Sequence, residues 1–395
     1  MDTDIDRLCQ GYVDEGTVAG ISVVVRQGKR PVFDGSWGYA NIEDRLAMRS
    51  DTLLRMASMT KVVTAVAALQ LVERKALSLD DDVSRFIPSF KRLQVASDYI
   101  SYEESISLSP ATIKERIARA RYDRLSSCIR IRDLLTHASG LGTGAIGSGL
   151  SERMLKDLKD VKERFDAYAR IPLDFAPGTH AAYSPIVGFD LLGRIIEIAA
   201  GMPFDEYVQT NIFDPLGIGE LTFSPTPEQQ RRMSRLYAHK GPRIIDVTAT
   251  ANDILPLDPV ATSATCGAAG LVASTRAYAR FAEVLLHEGT LDGHTYLDAS
   301  TIGLMREGTD RLGSYFPGTH WGLGVLVFDD PEAAGRALAP GSFGWSGAFG
   351  THFVVDPAND LVMVIGLNHA DPELDGSTSR ITVEVERAVM TTFRH

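Results

Sequence analysis

The hydrophobic pattern of this chain changes period twice. Residues 3–15 place apolar positions at helical spacing among acidic ones and predict an amphipathic helix. Residues 20–26 (GISVVVR) and 31–40 (PVFDGSWGYA) then read as two strands joined by a turn at Gln27-Gly28-Lys29. The run VVTAVAALQLVERKAL after Ser58 is apolar around most of its circumference, so it predicts a buried helix ending near Ala76. From about 78 to 260 helical patterns and long loops prevail, clearest over 110–124, 129–136, 151–169 and 186–200. Strand character returns at 321–328 (WGLGVLVF), 351–356 (THFVVD) and 361–367 (LVMVIGL), and 378–393 closes as a helix.

Strands at both ends and helices between them predict an α+β fold: an antiparallel sheet flanked by helices, with a mostly helical part inserted. The expected division is a discontinuous α/β domain, 1–77 and 262–395, around a helical domain, 78–261, with a site at their junction. At 395 residues and 44% hydrophobic content the chain can bury a large core. A net charge of −11 argues against nucleic acid or an anionic membrane as partner, and it leaves a homo-oligomer open. No apolar run reaches transmembrane length and the first residues lack the apolar stretch of a signal peptide, so a cytoplasmic protein is expected. Cys9, Cys128 and Cys266 are odd in number and far apart, which fits structural thiols in a reducing compartment. His320, His352 and His369 show no metal-ligand spacing, and neither metal nor cofactor is implied.

Candidate chemistry begins at Ser58-Met59-Thr60-Lys61. A serine hydroxyl is a weak nucleophile until a neighbour takes its proton, and a lysine can do so only once desolvation or nearby cations depress its pKa. The apolar run around Lys61 suits that role. Ser58 falls at the corner leading into the helix, where its own N–H is free to help hold an oxyanion. In Pro177-Gly178-Thr179-His180-Ala181-Ala182-Tyr183-Ser184-Pro185, Ser184 suits a helix N-cap and Pro185 the first helical position. Tyr183 would then sit before a helix N-terminus, where a phenolate costs less, as base or proton shuttle. In Gly344-Trp345-Ser346-Gly347-Ala348-Phe349-Gly350-Thr351, glycines let the backbone approach a ligand, and the N–H of Ala348 is the candidate second oxyanion donor.

Ser58-Met59-Thr60-Lys61, Leu134-Leu135-Thr136-His137-Ala138-Ser139-Gly140-Leu141, Tyr183-Ser184-Pro185 and Trp345-Ser346-Gly347 occur in the order and spacing of the serine β-lactamase and penicillin-binding-protein superfamily. The chain most resembles its class C β-lactamase-like esterases, the family VIII carboxylesterases. The resemblance implies a β-lactamase/transpeptidase-like fold and an acyl-enzyme on Ser58. It implies Lys61 as the base or proton partner, Tyr183 as the motif tyrosine, and an oxyanion hole from the N–H groups of Ser58 and Ala348. Trp345, Ser346 and Gly347 would contact substrate, and His137 is expected to be structural.

Two departures bear on substrate. Pro185 stands where β-lactamases carry an amide-bearing Asn, so a side-chain hydrogen bond to substrate is lost. Trp345 stands where they carry Lys, so an anionic substrate loses its partner and meets an aromatic wall. Both point to a serine carboxylesterase that hydrolyses, or transfers the acyl group of, small, mainly uncharged esters. The alternatives are an amidase, D-aminopeptidase or weak β-lactamase of the same fold, and a catalytically silent binding module. The polar stretch 98–127 is expected as a lid or wall over the acyl pocket, or as a surface insertion.

Overall fold

The computed structural model describes residues 3–394, apart from 102–103, 105–106, 148–149, 151–160, 251–266 and 309–311. The first helix, α1 (Asp4–Asp14), starts where expected because Thr3 and Asp6 form a reciprocal capping box. Next come β1 (Gly20–Gln27) and the longer β2 (Arg30–Asn41), reversed at Gly28 with φ +56°. Short β3 (Leu46–Ala47) and β4 (Leu54–Arg55) lead to a 3-10 turn, Ala57–Met59, that runs into α2 (Thr60–Glu73). Every residue of α2 from Thr60 to Leu71 is buried, as the unbroken apolar run requires.

The middle of the chain supplies α3 (Pro110–Arg119), α4 (Ile131–Leu135), α5 (Val161–Tyr168) and α6 (Val187–Ala200). The expected helix over 110–124 stops at Arg119, and Tyr122–Arg124 pairs as a strand with Gln94–Ala96 instead. The first part of the helix expected over 151–169 lies outside the described residues, as do Cys266 and the boundary expected at 261/262. Then follow β5 (Val272–Ala273), α7 (Thr275–Leu286), β6 (Thr319–Trp321), β7 (Leu326–Phe328), β8 (Ser342–Gly347), β9 (Thr351–Asp356), β10 (Leu361–Leu367) and α8 (Arg380–Phe393).

One eight-stranded sheet takes strands from both chain ends in the order β6-β7-β8-β9-β10-β1-β2-β3, with every pairing antiparallel. The run WGLGVLVF, expected as one strand, is a hairpin. It is reversed at Gly324 with φ +83°, where a Cβ would stand 2.4 Å from the Cβ of Ala65 on α2. Strand β8 had no counterpart in the expected elements, because its two glycines and polar serines hide its alternation.

Register places Trp345 beside Phe353, Phe353 beside Val364 and Val364 beside Val24 on one face of the sheet. There α7 packs through Tyr278 on Phe353, with ring centroids 5.0 Å apart, and through Thr275 on Ser22. The opposite face carries Ser346 beside His352 and is covered by α8, whose Glu386 binds Arg336 and whose Glu384 meets Tyr12 of α1. The two ends of the chain thus close over the same face.

Candidate active site

Ser58 sits on the strand-to-helix corner between β4 and α2, preceded by Ala57 in the left-handed region at φ +45°. That conformation costs a non-glycine residue on the order of 1 kcal/mol and persists only where the surroundings over-determine it. Here the surroundings are the β8–β9 hairpin. A Cβ on Gly347 would stand 2.3 Å from the Met56 carbonyl, and Thr351 Oγ1 donates to that carbonyl at 3.1 Å. Ala348 lies exposed in the hairpin turn next to this contact. Both oxyanion candidates therefore belong to two segments that pack directly on each other.

Lys61 is 1% exposed, on the first turn of α2. Its ammonium donates to Ser58 Oγ (3.1 Å), to the Pro185 carbonyl (2.6 Å) and to the Ala268 carbonyl (3.0 Å). Burial pulls its pKa down to about 7, against a smaller upward pull from Asp190. Once the amine is neutral, the two carbonyls hold its two N–H bonds and its lone pair is left facing Ser58. Pro185 thus loses a side-chain contact and supplies a main-chain one, which nothing in its side chain announces.

Tyr183 is half-buried and hydrogen-bonded to Ser58, with Trp345 Nε1 donating to its oxygen at 3.4 Å. Burial raises its pKa above the usual tyrosine range, and the bonds from Ser58 and Trp345 only oppose that shift. The expected phenolate at a helix start is not what forms. Helix α6 begins at Val187 with Ile186 at its N-cap position, and Ser184, two residues earlier, supplies the capping bond: its Oγ accepts from Gly188 N on the first turn (3.1 Å) while donating to Leu141 O (2.6 Å). Tyr183 lies four residues outside the helix and is a neutral phenol.

What holds Tyr183 is His137. Its carbonyl accepts from Ala182 N (3.0 Å), its Nδ1 accepts from Ser184 N (3.1 Å), and its ring lies 4.8 Å from the tyrosine ring. Burial and the nearby Lys61 charge keep its imidazole neutral, so Nδ1 remains an acceptor. His137 has φ +56°, a conformation stabilised by these two backbone bonds. It is more than a landmark of its motif.

Trp345 and Trp321 close the site, at 5.0 and 5.8 Å from the Tyr183 ring, with Tyr315 edge-on to both. Ser346 faces the other way. Alternation along β8 sends its hydroxyl to His352 Nδ1 (2.7 Å) on the α8 side, where Arg336 Nη2 donates to His352 Nε2 (3.2 Å). Its hydroxyl is thereby turned away from Tyr183 and braces the strand from behind, which leaves only its main chain to the substrate contact expected of it. Gly347 serves by its lack of a side chain. Within 98–127, Tyr99 lies 5.2 Å from Phe175 of the neighbouring loop and Arg116 is bound to both Asp98 and Glu104.

Asp190, Trp321 and Tyr315 were missed from the sequence. A lone Asp in the apolar helix IVGFDLLGRIIEIAA was a visible signal for the first. The other two had none. Among the described residues one group of prospective metal ligands assembles, His239, His369 and Asp371. His369 Nε2 accepts from Ala19 N at 2.7 Å, so Nδ1 carries the proton given to Asp371 (3.0 Å), and a metal there would require an imidazolate. The trio is a hydrogen-bond node.

The profile of the family described as Beta-lactamase matches residues 5–385. Protein Rv1367c of Mycobacterium tuberculosis is 30% identical over 379 residues, covering 91% of this chain and 88% of that protein. Esterase EstB of Burkholderia gladioli is 29% identical over 406 residues, covering 96% and 92%. Among solved structures, EstCE1, described as a hydrolase with promiscuous acyltransferase activity, superposes with a TM-score of 0.77 at 23% identity over 98% of this chain and 97% of that one. No helix among the described residues is long and apolar enough to cross a membrane.

Proposed function

Because the chain belongs to the Beta-lactamase family and has the fold of its serine hydrolases, we propose that it is a serine esterase whose acyl-enzyme forms on Ser58. The observation that carries this reading is the three-way contact of Lys61 with Ser58, Pro185 O and Ala268 O in a desolvated pocket. Neutral Lys61 takes the Ser58 proton as Oγ attacks the ester carbonyl carbon. The N–H groups of Ser58 and Ala348 receive the oxyanion. On collapse, the Tyr183 phenol protonates the departing alkoxide and is reprotonated from the Lys61 ammonium. Water, or a second alcohol, then takes the acyl group by the reverse sequence.

The similarity to Esterase EstB supports ester chemistry, and the aromatic wall of Trp345 and Trp321 supports small uncharged esters. No cofactor takes part in these steps. Mass spectrometry after a fluorophosphonate probe should find one adduct, on Ser58; an unlabelled Ser58 would sink the mechanism. Rates on p-nitrophenyl esters should exceed those on D-amino-acid amides and a chromogenic cephalosporin, and dominant amide turnover would reassign the substrate.

A further inference from the structure

The strap Gly267–Leu271 runs between α2 and α6 and is stitched to both. From α2, Thr64 Oγ1 donates to the Gly267 carbonyl (2.7 Å), Lys61 to the Ala268 carbonyl (3.0 Å), and Thr60 Oγ1 accepts from Leu271 N (3.0 Å). From α6, Asp190 Oδ1 accepts from Ala268 N (3.2 Å). A Cβ on Gly267 would stand 2.2 Å from the Phe189 carbonyl, so the strap fits between the helices only as glycine at that point. Ala268 therefore carries two bonds from one residue: its carbonyl fixes Lys61 and its N–H is fixed by Asp190.

Asp190 is 2% exposed and makes no salt bridge among the described residues. A buried carboxylate with so little compensation is expensive unless an opposite charge is near. Two cations act on it: Lys61, which binds the carbonyl of the same Ala268, and Arg164. Asp190 and Lys61 each support the other's ionised form while burial opposes both, moving Asp190 up to about 7 and Lys61 down to about 7. The other titratable groups around the pair are His137 and Tyr183 on the Lys61 side, and Tyr168 and Arg164 of α5 on the Asp190 side.

We propose that Asp190 is the positioning residue of the proton-transfer lysine: it holds Ala268 so that its carbonyl aims the Lys61 amine at Ser58, and its charge steadies the ammonium formed when Ser58 loses its proton. This rests on the reading of Ser58 as nucleophile. Asp190 touches neither substrate nor the reacting atoms. A role confined to packing would leave the proton affinity of Lys61 unchanged, whereas this role ties that affinity to the charge at position 190.

The test uses Asp190→Asn, which keeps an oxygen acceptor for Ala268 N–H and removes the charge. Labelling of Ser58 by a fluorophosphonate is followed against pH in wild type and variant. The acid limb should move to lower pH by about half a unit or more, because a less supported ammonium gives up its proton more readily. Above the limb, kcat on a p-nitrophenyl ester should fall about three- to thirtyfold with KM within about twofold, since the weaker base drives proton transfer less. Asp190→Ala, which also frees Ala268 N–H, should lose more kcat. An unmoved limb in folded Asp190→Asn overturns the proposal and leaves the esterase reading standing; an unlabelled wild type overturns that reading instead.

Discussion

The start of α2 and the loop 181–185 bring the two proposed proton-transfer partners of Ser58 to it by contrasting means. Lys61 is presented by a helix buried from Thr60 to Leu71, so its position follows from packing on every side. Tyr183 comes from irregular chain and is held by His137, which grips the residues on either side of it. The same desolvation acts on both side chains and yields opposite competence. It lowers the lysine pKa to near neutrality, while it keeps tyrosine a phenol that can take a proton only as it passes its own to Lys61. In the proposed mechanism acid and base are divided between the two groups by their intrinsic chemistry, because their environment pushes each toward its neutral form.

The sharpest break in this division is at the base. Lys61→Met should cut kcat by about a thousandfold or more, like Ser58→Ala, since residues acting as one unit fail together; steady-state turnover of a p-nitrophenyl ester measures both. Tyr183→Phe should cost about a hundredfold on alkyl esters and clearly less on p-nitrophenyl esters, whose leaving group needs no proton. Equal losses on the two series would remove the acid role from Tyr183. In wild type, kcat/KM should rise about tenfold per pH unit below 7 and level off above it, because only neutral Lys61 accepts the proton. A flat profile from pH 5 to 8 would mean that Lys61 is not the titrating base.

Smaller effects probe the loop. His137→Asn keeps an acceptor for Ser184 N–H and tolerates positive φ, so about threefold in kcat is expected, against more than about tenfold and a lowered Tm for His137→Val. Trp345→Phe removes the long indole bond to Tyr183 but keeps an aromatic ring against Tyr183 and Trp321, and should cost about twofold, read from the same ester assay.

Helical and strand periods located α1, β1, α2, β9, β10 and α8 to within a few residues, because each has one dominant buried face or is buried throughout, and the turn at Gly28 located the largely exposed β2. The β6–β7 hairpin was invisible inside WGLGVLVF, since a turn at Gly324 does not interrupt an apolar run. The direction of the Ser346 side chain was hidden for a related reason: a motif names neighbouring residues together, while a strand sends them to opposite faces. Pro185 was read through its side chain, and its contribution is a carbonyl.

By itself the sequence determined the reaction chemistry on offer, a serine three residues from a lysine on one helical face with a tyrosine and a glycine-rich strand in a familiar order. Those are local and compositional properties, written residue by residue. Tertiary structure alone decided the protonation of that chemistry. How far Lys61, Tyr183 and Asp190 are removed from water, and which groups meet them there, depends on packing between segments far apart in the chain.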